Sequence, residues 1–454
     1  MTEQLPFDVV VFEAVALGDP TAPSRVAPGL GRLLVALDRL GVRCGVLPAG
    51  GLPDLSATTD LVVAVSADDE LASADRTLLV TESAGPAAVQ VLAALAHADD
   101  RGAFDAATRL VAPLDDEAMA AATERHLSLT KPPGSLGRLE ALGIQLAGIS
   151  GHTVPPVPRP AAVAVFAADH GVHAKGVSPW PQEVTTQMVA NFVGGGAAIN
   201  VLARQAGADV VVVDVGVAGD LPRSEGLVDR KVARGTADLS SGPAMTPAQA
   251  RAALDAGAEV AAELVAAGNR CLLTGDMGIA NTTASTALIV ALADRRATEI
   301  TGRGAGLPQD DVPRKVAVVA AAAARATERH HGDPLATLAE LGGFEHAALA
   351  GYMVAGVALG VPVVVDGVIA AAALLVASQL VPGVEASAIA GHRSVEPGSA
   401  AVLETLGLVP VLDLELRLGE GTGAALAYPV VEAAARVLRE MATFDQAGVS
   451  SKSP

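Results

Sequence analysis

Three glycine-rich segments set polar side chains where a ligand could approach the backbone closely. The first runs from Thr274 to Thr283 and carries Gly275, Asp276, Gly278 and Asn281 between an apolar strand-like run and an Ala-rich helical stretch. Amides at the start of a helix bind anions, and Thr282 or Thr283 could cap it. The second, from Thr301 to Pro308, resembles the opening of a dinucleotide fingerprint, but Pro308 follows at once, so the next helix starts only near Asp310–Pro313. Lys315 then lies about one turn into that helix. Gly304, Ala305 and Gly306 could offer amides beside it, and together they would cradle a phosphate. The third, from Arg417 to Ala424, sets Glu420 between glycines and next to Leu418. A carboxyl in an apolar, glycine-walled turn has its pKa raised and can serve as a general base. Taken singly, each segment also fits an ordinary tight turn, Lys315 a solvated surface lysine and Glu420 a solvent-facing glutamate.

Two further segments are rich in polar groups: Asp169-His170 after a strand, and Gly391–Gly398 with His392, Arg393, Ser394 and Glu396. Neither histidine has a second ligand at a metal-type spacing, which favours hydrogen-bonding or structural roles. The chain has no GxSxG, P-loop or HExxH motif, and no acidic stretch before a Thr-Gly pair.

These segments need a frame that brings strand ends together. From Ala161 on, strand-like and helical patterns alternate: strands at 162–167, 209–215, 270–273 and 361–365, and helices at 183–192, 197–205, 247–267, 283–292 and 370–380. That alternation predicts an open α/β sheet, Rossmann-like and parallel, with helices on both faces and ligands at the strand ends. Upstream, helices at 114–129 and 136–149 flank the break Thr130–Ser135. Residues 1–112 form a separate α/β extension, with strands at 9–12, 61–65 and 78–80 and a helix at 29–40. Its order loosely resembles a haloacid-dehalogenase-like fold, but Phe12-Glu13-Ala14-Val15 lacks the aspartates of that chemistry.

Of 454 residues, 51% are hydrophobic and only 2% aromatic, which suits helices on buried parallel strands and disfavours a base-stacking surface. The net charge of −19 repels nucleic acid, so an anionic substrate must be held by a local positive site. Cys44 and Cys271 have no metal or disulfide pattern, which points to a reducing cytoplasm. No signal peptide or membrane span is expected, because Asp366 and Gly367 interrupt the most apolar run.

In order, KPPGSLGRLE (131–140), ADHGV (168–172), GVSPWPQEVTTQM (176–188), DVGV (214–217), GDMGIANTT (275–283), GRGAGL (302–307), GGFE (342–345), VDGVIAAAA (365–373) and RLGEGTGAAL (417–426) resemble the nicotinate-nucleotide–dimethylbenzimidazole phosphoribosyltransferase family. The resemblance covers roughly residues 114–445 and places the family region at 113–454. It implies a cytoplasmic homodimer with a large Rossmann-like domain and a small helical domain built from both ends of that region. It also implies transfer of phosphoribose from nicotinate mononucleotide to 5,6-dimethylbenzimidazole, without metal or other cofactor. Glu420 corresponds to the catalytic base, and Asp276 falls where a glutamate is usual. Gly278, Gly304, Ala305, Gly306 and Lys315 fall at phosphate positions, Gly306 where some members carry a side chain. Leu418, Asp169 and His170 complete the expected substrate contacts. Two other readings compete: a non-catalytic nucleotide-binding or sensor protein of the same fold, and an NAD-dependent oxidoreductase, which Pro308 disfavours.

Overall fold

The computed structural model describes residues 102–450 continuously, and before them three short strands and scattered helical positions between 33 and 96. The expected strand at 61–65 lies outside the described residues.

The strands β1 (Val9–Phe12), β2 (Arg43–Val46) and β3 (Thr77–Val80) pair in parallel in the order β2-β1-β3. Helix α1 (Gly102–Leu110) follows. Then come α2 (Asp116–Ser128) and α3 (Arg138–Ser150), joined by a turn that the buried Lys131 ties to Glu140 at 2.8 Å. Asp115 caps α2 by accepting from the Ala118 N–H.

The larger sheet has six parallel strands: β4 (Ala161–Ala168), β5 (Ala208–Gly216), β6 (Leu227–Asp229), β7 (Cys271–Met277), β8 (Val363–Val365) and β9 (Ala388–Ala390). Their order is β6-β5-β4-β7-β8-β9, with β4 and β7 at the centre. The open parallel α/β sheet expected from the alternation is therefore present. Every residue of β4 is buried, as a strand covered on both faces requires. Its side chains alternate between two cores. Ala164, Phe166 and Ala168 face one, with α6 (Pro247–Ala266), α7 (Asn281–Leu292), α11 (Phe344–Ala358) and α12 (Val368–Leu380). Val163 and Val165 face the other, with α4 (Glu183–Val193), α5 (Ala198–Ala206) and α14 (Thr422–Glu440). The remaining helices are α8 (Ala297–Ile300), α9 (Val312–His330), α10 (Pro334–Leu341), α13 (Pro397–Thr405) and α15 (Phe444–Ala447). Glycines let α6 and α11 touch backbone to backbone: a Cβ on Gly257 would lie 1.8 Å from the Ala348 carbonyl oxygen.

Two expectations are corrected. Strand β7 does not stop at Leu273 but runs on through Gly275 and Asp276 to Met277, because Val165 and Phe166 of β4 pair with both. Neither Thr282 nor Thr283 caps α7; Ala280, in a left-handed conformation, stands at the N-cap and makes no side-chain bond. The helix before residue 112 packs against helices of the large sheet. Phe104, Ala107 and Leu110 of α1, with Leu33, Leu37, Val91 and Leu92, belong to the same buried cluster as α6 and α11. Asp255 on α6 also accepts from the Phe104 N–H.

Asp366, at the end of β8, ties α14 to the sheet. Its carboxylate accepts from the Gly423 and Ala424 N–H groups at 2.7 and 3.0 Å and from that of Gly421 at 3.2 Å. Asp366→Ala would bury these amides without partners and should lower the unfolding free energy by about 3 kcal/mol or more. Asp366→Asn, which keeps one acceptor oxygen, should lose less; urea unfolding of the two variants measures the difference.

Candidate active site

Strands β4, β5, β7 and β8 each carry an aspartate at or near their C-terminal ends: Asp169 after β4, Asp214 in β5, Asp276 in β7 and Asp366 after β8. Three of them serve the backbone. Asp169 accepts from the Ala218 N–H, Asp214 from those of Gly216 and Val217, and Asp366 holds α14. Asp276 accepts from a side chain instead: its Oδ2 takes Asn281 Nδ2 at 2.9 Å, and its buried Oδ1, like that of Asp169, has no hydrogen-bond partner among the described residues.

Asp276 lies in the wall of a cleft of about 200 Å³ at the C-terminal edge of the sheet. Gly278, Gly304, Ala305, Leu418 and Glu420 line the same cleft, as do Trp180, Val184 and Met188 on the apolar side. Glu420 reaches it because Gly419, Glu420 and Gly421 all have positive φ, at 84°, 64° and 93°. For a glutamate that conformation costs about 1 kcal/mol, and the Asp366 bonds just beyond it fix the turn. The turn sits directly on β7: a Cβ on Gly275 would lie 2.7 Å from the Glu420 carbonyl oxygen. Glu420 Oε2 accepts from the Ile199 N–H at the start of α5, at 3.3 Å.

Burial raises the pKa of Glu420; the Ile199 N–H opposes this and Asp366 adds to it. Asp276 is pushed well above the usual carboxylate range by burial, then by Asp366 and Glu345. A positive charge placed beside it would pull that pKa back down.

Lys315 is fully buried beneath the Gly302–Gly306 loop rather than solvated. Its Nζ donates to Thr282 Oγ1 at 2.8 Å and to the Gly302 carbonyl at 3.1 Å. Burial pulls its pKa down to about 8, partly offset by Glu396. The Gly304 N–H donates to Glu396 Oε1 at 2.9 Å. Trp180 closes over this loop, donating from Nε1 to the Ala305 carbonyl.

Among the residues expected to contact substrate, Asp169, His170, Gly306 and Lys315 are not among those that line the cleft. His170 is buried behind Gly278, 2.6 Å from Glu345, which also meets His346 at 2.8 Å. Burial opposes ionisation of Glu345, but the two histidines outweigh it and hold the carboxyl low; Glu345 in turn raises His170. These separations are hydrogen-bond lengths, shorter than the roughly 3.3 Å between ligands on a tetrahedral metal.

The sequence alone assigns no role to Asp366, Glu396, Ser394 or Arg417. Asp366 and Glu396 do leave a signal, since each is a charge beside apolar, helix-forming stretches and so needs a partner.

The phosphoribosyltransferase family model matches residues 111–449. The nicotinate-nucleotide–dimethylbenzimidazole phosphoribosyltransferase of Salinispora tropica is 53% identical over 362 residues, 76% of this chain and 98% of that one. The protein of the same name from Chloroflexus aurantiacus is 53% identical over 345 residues, 75% of this chain and 97% of that one. The chain belongs to the nicotinate-nucleotide–dimethylbenzimidazole phosphoribosyltransferase family. The crystal structure of CobT from Thermus thermophilus superposes with a TM-score of 0.71 at 50% identity, covering 74% of this chain and all of that one. Residues 1–110 lie outside the family match.

A buried carboxyl whose folded pKa is raised contributes stability below its unfolded pKa and loses it as pH rises through the folded value. Asp276→Asn removes that loss. The variant should match the parent in Tm near pH 4 and exceed it by about 2–4 °C at pH 8, while turnover falls tenfold or more. Thermal melts across pH and initial rates check both.

Proposed function

We propose that the protein transfers the phosphoribosyl group of nicotinate mononucleotide to 5,6-dimethylbenzimidazole, releasing nicotinate and α-ribazole 5′-phosphate in assembly of the cobalamin lower ligand. The observation that carries the reading is one cleft lined by the buried Glu420 carboxyl, a glycine loop over a buried lysine, and an apolar wall.

The donor's pyridinium leaves as a neutral ring nitrogen, so its departure needs no general acid. The benzimidazole attacks C1′ through its lone-pair nitrogen, forming the new C–N bond as the old one breaks. Attack from the face opposite the leaving group converts a β-nucleotide into the α-product. As the bond forms, the other ring N–H becomes acidic, and Glu420 takes that proton. The raised pKa of Glu420 brings it closer to the acidity of that proton while leaving it ionised above its own pKa. Asp276 beside Gly419 supports positive charge at C1′. Trp180, Val184 and Met188 offer the acceptor ring an apolar surface and hold it in line. Gly304, Ala305 and Lys315 take the phosphate: loop amides bind its oxygens, and Lys315 supplies the one buried positive charge beneath.

Among the described residues no helix is long and apolar enough to cross a membrane, and small molecules are the substrates. A cytoplasmic homodimer belongs to the same proposal. So does division of the family region into a large domain and a small helical one, supported by the cluster of Ala118, Ala122, Ala147 and Leu438 that joins α2, α3 and α14.

Incubation with both substrates should give nicotinate and α-ribazole phosphate in equal amounts, read by chromatography and mass spectrometry. Absence of product with intact donor binding would leave a nucleotide-binding protein of the same fold. Glu420→Gln should lower kcat roughly a hundredfold with little change in donor binding. It should also abolish the acid limb of the pH profile, in which the parent loses activity as pH falls through the raised Glu420 pKa. Near-normal turnover would remove Glu420 as the base. Lys315→Ala should raise the donor KM about tenfold or more; an unchanged KM would move the phosphate elsewhere.

A further inference from the structure

The phosphate cradle already holds an anion of the chain's own. Glu396 is the N-cap residue of α13, yet its side chain caps nothing there. It turns instead into the Gly302–Gly304 loop, where Oε1 takes the Gly304 N–H at 2.9 Å. Oε2 packs so tightly on the loop that a Cβ on Gly302 would lie 2.0 Å from it. Lys315 Nζ sits just below, 3.4 Å from the place of a Cβ on Gly304. Glu396 is 8% exposed and lines the cleft together with Gly304, Ala305 and Thr282. A carboxylate oxygen on a glycine amide beside a buried lysine stands where a phosphate oxygen would bind.

We infer that Glu396 is a specificity-determining residue, an internal anion that a nucleotide phosphate displaces and that free inorganic phosphate does not. The inference rests on the proposed donor site. Phosphate brought beside Glu396 meets like charge at a few ångströms, and the single Lys315 charge is shared between the two. Inorganic phosphate has nothing else with which to offset that repulsion. A pyridinium nucleotide does, because its positive ring arrives beside Asp276 and Glu420 in the same cleft. Discrimination therefore comes from a repulsive element that only a zwitterionic ligand overcomes. Glu396 makes no ion pair with Lys315 among the described residues, so a change of rotamer releases it by breaking the Gly304 bond.

The test is inhibition of the full-length enzyme by inorganic phosphate, with the donor KM measured alongside. Glu396→Gln keeps the length of the side chain and an oxygen for the Gly304 N–H, and replaces the repelling oxygen by an N–H donor. The phosphate inhibition constant should fall about tenfold or more, and the donor KM by less, so that discrimination shrinks. Glu396→Asp keeps the charge and shortens its reach, and should lie between parent and Gln; it carries the test if thermal melting shows the Gln variant misfolded. Phosphate inhibition unchanged or weakened in the folded variants would overturn the inference. A raised donor KM with unchanged phosphate inhibition would do so as well, by making Glu396 a donor contact. If Lys315→Ala also left the donor KM unchanged, the phosphate site itself would be misplaced and the inference would fall with it.

Discussion

The site depends on one carboxylate that never reaches the cleft. Asp366 accepts three amides from Gly421, Gly423 and Ala424 and so fixes where α14 starts. Everything just before that start is committed as a result. Gly419, Glu420 and Gly421 are held in left-handed conformations that only glycine adopts cheaply. The turn is then pressed onto Gly275, where any side chain would strike it. His392 lies even closer against Gly423, since a Cβ there would meet its ring at 1.9 Å. The catalytic-base candidate is thus positioned by backbone geometry, with the strain of one glutamate offset by charge-assisted bonds a residue or more away.

The same edge of the sheet concentrates negative charge. After burial itself, Asp366, Glu345 and Glu420 push the Asp276 carboxyl up through a buried region. Two of these carboxyls are compensated locally, Asp366 by helix amides and Glu345 by two histidines at its Oε1. Asp276 is left with a single amide partner and an orphaned oxygen. A buried, under-compensated carboxyl is unfavourable for folding, and it becomes favourable only when a cation is placed beside it. Such an environment suits the positively charged ring of the proposed donor, in a protein whose net charge is −19. Lys315 is the counterpart: burial weakens its hold on a proton, and a phosphate beside it would restore that hold.

The extension before residue 111 is joined to the family region more closely than a linker would allow. Helix α1 lays Phe104, Ala107 and Leu110 on the faces of α6 and α11, and Asp255 holds the Phe104 N–H at the first turn of α1. Helix α11 is buried along its whole length, so this packing completes a core that α6 and the sheet leave open on one side.

The sequence by itself determined the class of fold and the family, and it named the candidate positions for the chemistry. Apolar runs alternating with helical periodicity can be buried in few ways, and the glycine-rich segments, each of which taken singly fits an ordinary tight turn, carry the family resemblance through their order along the chain. Helix starts at Asp115 and Pro313 were legible for the same local reason, since capping and proline geometry act within one turn. Only the tertiary structure decided which of those positions share a cleft. Asp169 and His170 sit in a motif as polar as that of Asp276, yet their polar atoms turn to the Ala218 amide and to Glu345. Glu396 and Glu420 look alike as carboxylates near glycines, yet one lies on the Gly304 amide and the other over β7. Burial, the run of β7 past Gly275 and the placing of Glu396 on the Gly304 amide are set by contacts across tens to hundreds of residues. A local pattern carries the need for a partner, and the fold alone supplies which partner it is.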